Sequence, residues 1–215
     1  MVQLIPAILA KDPAEVSERI AFLESIPKIT EVHIDFEDGQ FVPNTTVLPG
    51  DLLGLKTRLK IDAHMMVTDP HIYFHDLAVL GVTTVDLHFE SFPTIAELLT
   101  AAGNLKTMNF RVAVVLNPET DLQIFSHLAP LPDILFLMSV HPGFQGRPFL
   151  PTSLDRVQAL RKSYPNATIQ IDGGISRKNI EAVRAHSADR IVVGSGIWHN
   201  LDPKKAIYEL LEKIK

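Results

Sequence analysis

The chain has 215 residues, 46% of them hydrophobic, which suits one full core and argues against disorder. Its net charge of −5 is spread along the chain with no basic stripe, which argues against nucleic-acid binding, and no apolar run reaches the roughly 18 residues of a membrane span. Cysteine is absent, which removes disulfides, thiolate nucleophiles and thiolate metal sites; with no signal-peptide core in MVQLIPAILAKD, a cytoplasmic protein is expected.

From the N-terminus, short apolar runs alternate with longer amphipathic stretches. LIPAIL (4–9) predicts a first strand. Asp12 and Pro13 then offer a helix cap and a first-turn proline, followed by i, i+3, i+4 apolar spacing in AEVSERIAFLESI. EVHID (31–35), KIDAHMM (60–66), TVDLHF (84–89), RVAVVL (111–116), ILFLM (134–138), TIQI (168–171) and RIVV (190–193) predict further strands. They are rich in Val, Ile and Leu, as buried parallel strands are. PTIAELLTAAGNLK, PTSLDRVQALRKS, SRKNIEAVRAHS and DPKKAIYELLEKI read as helices. Eight strand-plus-helix units of about 27 residues predict a single α/β domain over residues 1–215, a (β/α)8 TIM barrel. An open doubly wound sheet is the competing arrangement, but no G-x-G-x-x-G follows the first strand. The proline-rich pieces Pro43 to Pro49 and Pro142 to Pro151 fall after strands two and six, as loops.

Polar residues recur at the C-terminal ends of these strands, where a barrel builds its active site. His33 and Asp35 share a face of strand two, and Glu37 has the same parity. His64 closes strand three and Asp172 closes strand seven. Two His and two Asp without a thiol form a divalent-cation set, suited to Zn, Fe(II), Mn or Co. Each residue alone has a plainer reading, as a hydrogen-bonded strand end or a turn cap; the four together favour a cation site. The glycines of Asp172-Gly173-Gly174 and Gly194-Ser195-Gly196 can be simple turns, yet they follow strands seven and eight, where barrels hold phosphate. The loop SVHPGFQGRPF (139–149) has a lid's composition. Met65, Met66 and Met138 are core residues or a dry wall around a reactive carbanion. Lys11 lies just past strand one and reads as a surface lysine; His71, His75, His127, His186 and His199 read as solvated or capping residues.

The series IPAIL, HIDFEDGQFVPN, DAHMMV, LHFE, VVLNPET, MSVHPGFQG, IDGGI and VGSGI resembles the ribulose-phosphate 3-epimerase family over nearly the whole length. The resemblance implies the same barrel and interconversion of D-ribulose 5-phosphate and D-xylulose 5-phosphate at C3. It implies His33, Asp35, His64 and Asp172 as metal ligands, with Asp35 and Asp172 also the acid–base pair. It implies Gly143, Phe144, Gln145 and Gly146 in the lid beside the substrate, and Gly173, Gly174, Gly194 and Ser195 in the phosphate site. No organic cofactor is implied; a homo-oligomer is.

Three departures from the family pattern concern the pocket wall. Ala7 stands where the family has a serine. Glu37 stands where it has a methionine, beside the wall residues Met66 and Met138. In the lid, His141 and Arg147 replace an asparagine and a glutamine. Glu37 brings a carboxylate to a wall that is ordinarily apolar; it could contact the metal, bind a hydroxyl or raise a neighbour's pKa. The competing functions are epimerisation of a longer sugar, allulose 6-phosphate, and a non-catalytic barrel that holds metal and phosphate. Schiff-base chemistry lacks a lysine at the ends of strands five to seven.

Overall fold

The strands that the apolar runs predict pair in chain order and close on themselves. In the computed structural model, which describes residues 2–128 and 132–215, they are β1 (Gln3–Ile8), β2 (Glu31–Glu37), β3 (Lys60–Met66), β4 (Thr84–His88), β5 (Arg111–Leu116), β6 (Ile134–Met138), β7 (Thr168–Asp172) and β8 (Arg190–Val193). All pairings are parallel, and β8 pairs with β1 to complete the barrel. β2 runs two residues beyond the predicted end and carries Glu37 into the ladder opposite Met66.

The outer layer is less regular than eight helices. The described helices are α1 (Pro13–Glu24), α2 (Phe74–Leu80), α3 (Ile95–Thr107), α4 (Thr152–Ser163), α5 (Ile180–Ala185), α6 (Ser195–Trp198) and α7 (Pro203–Lys213). α1 starts as its sequence dictates: the Asp12 carboxylate accepts from the Ala14 N–H at 2.8 Å, Pro13 follows, and Val16, Ile20 and Leu23 pack on the barrel. After β2 and β5 the described residues hold only 3-10 turns, Pro49–Leu52 and Leu122–His127. The first of these stretches carries Pro43, Pro49, Gly50 and Gly54, too many breakers for a helix. Only Ile180–Ala185 of the predicted 176–187 helix is α-helical.

The main apolar core lies between barrel and helices. Met65 belongs to it, with Phe36, Ile61 and Leu87. The barrel interior is divided differently. One arc is apolar, built by Ala113, Val115, Ile134, Phe136 and Met138 from β5 and β6. The opposite arc carries buried Glu31, His33, Asp35, Glu37, Asp62, His64, Asp86 and His88 from β2, β3 and β4.

At the N-terminal end of the barrel one cation balances this arc. The Arg190 guanidinium donates to both Glu31 oxygens at 2.7 and 3.1 Å, to Asp62 at 3.1 Å, and to Gln170 at 2.5 Å. Burial works against its charge, but Glu31 and Asp62 outweigh that and hold its pKa above the ordinary value. Replacing Arg190 by methionine leaves Glu31 and Asp62 buried without their cation. The Arg190→Met variant is expected to lose about 3–5 kcal/mol of stability in denaturant unfolding. A loss below about 1 kcal/mol would mean that these carboxylates protonate at little cost.

Candidate active site

Side chains on a strand alternate in direction, so Glu31, His33, Asp35 and Glu37 all enter the barrel from β2. Register then sets Asp35 beside His64, and His64 beside Asp86. Asp172 arrives from β7, across the mouth. His33, Asp35, His64 and Asp172 each offer one ligand atom, and these atoms lie within 4.8 Å of one another.

The hydrogen-bond partners decide which ring nitrogens face the mouth. Asp62 Oδ2 accepts from Gln170 Nε2 and Arg190 Nη2, both at 3.1 Å, and lies 3.0 Å from His33 Nδ1. A carboxylate so placed stays ionised: burial opposes this, but the bonds from His33 and the charge of Arg190 hold its pKa down to about 2. An ionised carboxylate only accepts, so His33 donates from Nδ1. His33 Nε2 is then directed at the mouth; it is buried, has no hydrogen-bond partner, and faces Asp35 Oδ1 at 3.4 Å.

His64 is fixed from the other side. Its Nε2 lies 2.9 Å from His88 Nε2, and His88 Nδ1 lies 3.3 Å from Glu90 Oε2. Glu90 is itself anchored, since its Oε1 accepts from the Asn117 N–H at 2.9 Å and from the Thr120 hydroxyl. A neutral imidazole carries one N–H. If His88 donates to Glu90, its Nε2 must accept from His64, and His64 presents a bare Nδ1 to Asp35 Oδ1 at 2.9 Å. Two lone pairs that close require a positive charge between them. Burial lowers the His64 pKa to about 4 despite the pull of Asp35, so the ring is neutral. The residues therefore fit a divalent cation held by nitrogen and oxygen atoms.

The two aspartates differ in electrostatics. Burial raises Asp35, but the flanking imidazoles, His33 foremost, hold it well below the usual carboxylate range. Burial and the charge of Asp35 push Asp172 up to about 7. Burial, then Asp35, pushes Glu37 to about 8, against the pull of Asn44 and Lys11. Lys11 is exposed, as expected, yet stands close enough to act on Glu37.

A cleft opens over the aspartates, lined among others by Ala7, Glu37, Met66, Met138, Gly143 and Phe144. Gln145, Gly146, Gly173, Gly174, Gly194 and Ser195 line it as well. The loop 139–149 thus meets the two glycine turns. Gly173 has φ +119° and a side chain there would meet Val140 N at 2.9 Å; Gly174 has φ +62° and would meet Phe149 N at 2.5 Å. Only glycine serves at either position. Gln145 Nε2 is buried without a partner, close over Gly194. His141 is turned outward and pairs with Glu119 at 3.2 Å, while the Arg147 guanidinium lies 5.4 Å from the Phe144 ring centroid.

The sequence places Asp62 on the same face of strand three as His64 but assigns no role to it, nor to Asp86, His88, Glu90 or Arg190. Asp86 and His88 share one face of a strand and His88 ends it, the same signal that marked His64. His71, His75, His127 and His199 are exposed, and His186 bonds the Ala182 carbonyl at 2.7 Å.

Residues 3–198 match the model of the ribulose-phosphate 3 epimerase family. The chain is 30% identical to the ribulose-phosphate 3-epimerase of Bacillus subtilis over 98% of both chains. It is 36% identical to that of Aquifex aeolicus, over 91% of this chain and 89% of the other. Among solved structures it resembles 3-hexulose-6-phosphate synthase from Salmonella typhimurium, with a TM-score of 0.74 at 19% identity, covering 99% of this chain and 98% of the other. Orotidine 5'-monophosphate decarboxylase from Sulfolobus solfataricus gives 0.65 at 14% identity, over 100% and 98%. At those identities the likeness is one of fold.

The His64–His88–Glu90 chain makes a prediction about the cation. In Glu90→Gln the amide oxygen stays with Asn117 and Thr120, and an amide N–H faces His88 in place of an acceptor. The donors then reverse, and His64 Nδ1 carries the hydrogen. Affinity for Zn or Mn, measured by chelator competition, is expected to fall about 10–100-fold with the melting temperature unchanged. Equal affinity in the variant would remove Glu90 from this role.

Proposed function

The chain belongs to the ribulose-phosphate 3-epimerase family, and from that membership and the facing aspartates we propose that it inverts C3 of a ketose phosphate, D-ribulose 5-phosphate to D-xylulose 5-phosphate. The observation that carries this reading is the pairing of Asp35 and Asp172. They come from β2 and β7, belong to one tight group, and have opposite protonation tendencies. Epimerisation needs one carboxylate to take a proton and another to return one on the opposite face. Asp35 tends to the ionised form and Asp172 toward the protonated one, which suits them to take and return the proton; the reverse reaction exchanges their roles.

In this reading the C3–H bond breaks toward one aspartate. Its electron pair moves into the C2–C3 bond and the carbonyl electrons onto the C2 oxygen, giving an enediolate. The other aspartate then protonates C3 from the far side. His33, Asp35, His64 and Asp172 would hold a divalent cation, which would supply positive charge beside the developing negative charge. Met66 and Met138 keep water from the carbanion. The backbone of Gly173, Gly174 and Gly194, with Ser195 and the free Gln145 amide, holds the phosphate. Gly143 to Gly146 cover it. No organic cofactor enters, and the setting is a cytoplasmic homo-oligomer.

A second reading keeps the chemistry and lengthens the sugar. Ala7 is small and lines the cleft, which leaves room for the extra carbon of allulose 6-phosphate.

Proton NMR in D2O with the metal-loaded protein tests both. Deuterium entering C3 together with D-xylulose 5-phosphate appearing from D-ribulose 5-phosphate is the expected result. Exchange confined to allulose 6-phosphate would favour the longer sugar, and silence with both would leave a non-catalytic barrel. Asp35→Asn and Asp172→Asn are each expected to lose at least about a hundredfold in turnover with the fold intact. Near-normal rates in either variant would reject the acid–base assignment.

A further inference from the structure

The cleft is polar at two ends. One end holds Gln145, Ser195 and the glycine turns of β7 and β8. The other lies across the mouth at the ends of β2 and β3, where the lining side chains are Glu37 and Met66. Apart from Asp35, Glu37 is the one polar side chain among the described lining residues there.

Glu37 is held in place. Its backbone N–H donates to the Thr46 hydroxyl at 2.9 Å, and that hydroxyl donates to the Asp35 carbonyl at 2.8 Å. Its Oε2 accepts from Asn44 Nδ2 at 2.5 Å. Its Oε1 is buried with no partner. The carboxylate is outside the group of ligand atoms that His33, Asp35, His64 and Asp172 form, so it is not one of the cation's ligands in this arrangement. One oxygen anchored and the other free, in a cleft, is the geometry of a side chain that reads a ligand's hydroxyl.

We propose that Glu37 is a specificity-determining residue that hydrogen-bonds the carbon-1 hydroxyl of a 1-hydroxyketose phosphate. The orientation of the sugar rests on the epimerase reading. With phosphate at β7 and β8 and C3 between Asp35 and Asp172, the chain continues through C2 to C1 toward β2 and β3. C1 arrives at Glu37 Oε1, beside Met66. A site built to bond a hydroxyl rejects the analogue that lacks it, because its own buried group is then left unpaired.

D-xylulose 5-phosphate and 1-deoxy-D-xylulose 5-phosphate differ only in this hydroxyl. Their affinities for the metal-loaded protein, by calorimetry, are expected to differ at least about tenfold in favour of the hydroxylated sugar. In Glu37→Met the ratio is expected to fall to near one, through loss of D-xylulose 5-phosphate affinity; Glu37→Gln, which can still bond a hydroxyl, keeps a preference. Equal binding by the wild-type protein overturns the proposal with no variant needed, as does an unchanged ratio in Glu37→Met or binding of neither sugar. Following C3 deuterium exchange in the same samples separates the two readings. Discrimination without exchange upholds Glu37 and rejects epimerisation; exchange with no discrimination does the reverse.

Discussion

Buried negative charge is the constraint from which the rest of the barrel follows. Glu31, Asp35, Glu37, Asp62 and Asp86 are buried on one arc of the interior, and Asp172 joins them at the mouth. An isolated carboxylate cannot stay ionised in such a place. Each must be neutralised by a cation, by donors or by a proton, and all three solutions are present. Arg190 neutralises Glu31 and Asp62 from below. The histidines answer Asp35 from the side. Burial, with the charge of Asp62, pushes Asp86 well up toward its protonated form.

His33 joins the lower charge network to the upper one. Its Nδ1 is tied to Asp62, which is tied to Arg190; its Nε2 emerges among the mouth residues. The position of Arg190 on β8 is thereby coupled to a ring nitrogen on β2, through two contacts. His64 is tied in the same manner, outward through His88 to Glu90 and the backbone after β5. Both rings at the mouth are thus oriented by residues well away from it. Outer partners of this kind are what orient the ligands of a cation site.

The strands were legible because buried parallel strands are continuous apolar runs, and the mouth residues because a strand alternates with a period of two. From His33 the parity rule reached Asp35 and Glu37 directly. It applied equally to Asp62, Asp86 and His88, but a buried carboxylate needs its partner identified, and Arg190 lies 128 residues from Asp62. No local pattern links such positions. The helices after β2 and β5 were overcounted for a related reason: unit length alone says a helix fits, while Pro43, Pro49, Gly50 and Gly54 say that one does not form. The fate of Glu37 was open in sequence, because the choice among cation, hydroxyl and neighbour depends on where Asn44 sits, and Asn44 is on a loop.

The division of the interior into two arcs suits a reaction that makes a carbanion. Such a species needs charge on its oxygen side and dryness on its carbon side. Phe136 and Met138 on β6 face the polar arc across the barrel, and the Phe136 ring lies 5.9 Å from His33 and 5.3 Å from His64. That apolar wall lowers the local dielectric around the mouth and strengthens each charge interaction there. Burial and the charge of Asp35 raise Asp172, while the histidines depress Asp35. Two chemically identical side chains therefore acquire opposite protonation tendencies from position alone: one has imidazoles for neighbours, the other has burial and a like charge. A barrel that was polar all round would hydrate both and leave them equivalent. One that was apolar all round would leave neither ionised, and proton transfer between the two faces of a carbon would have no starting asymmetry.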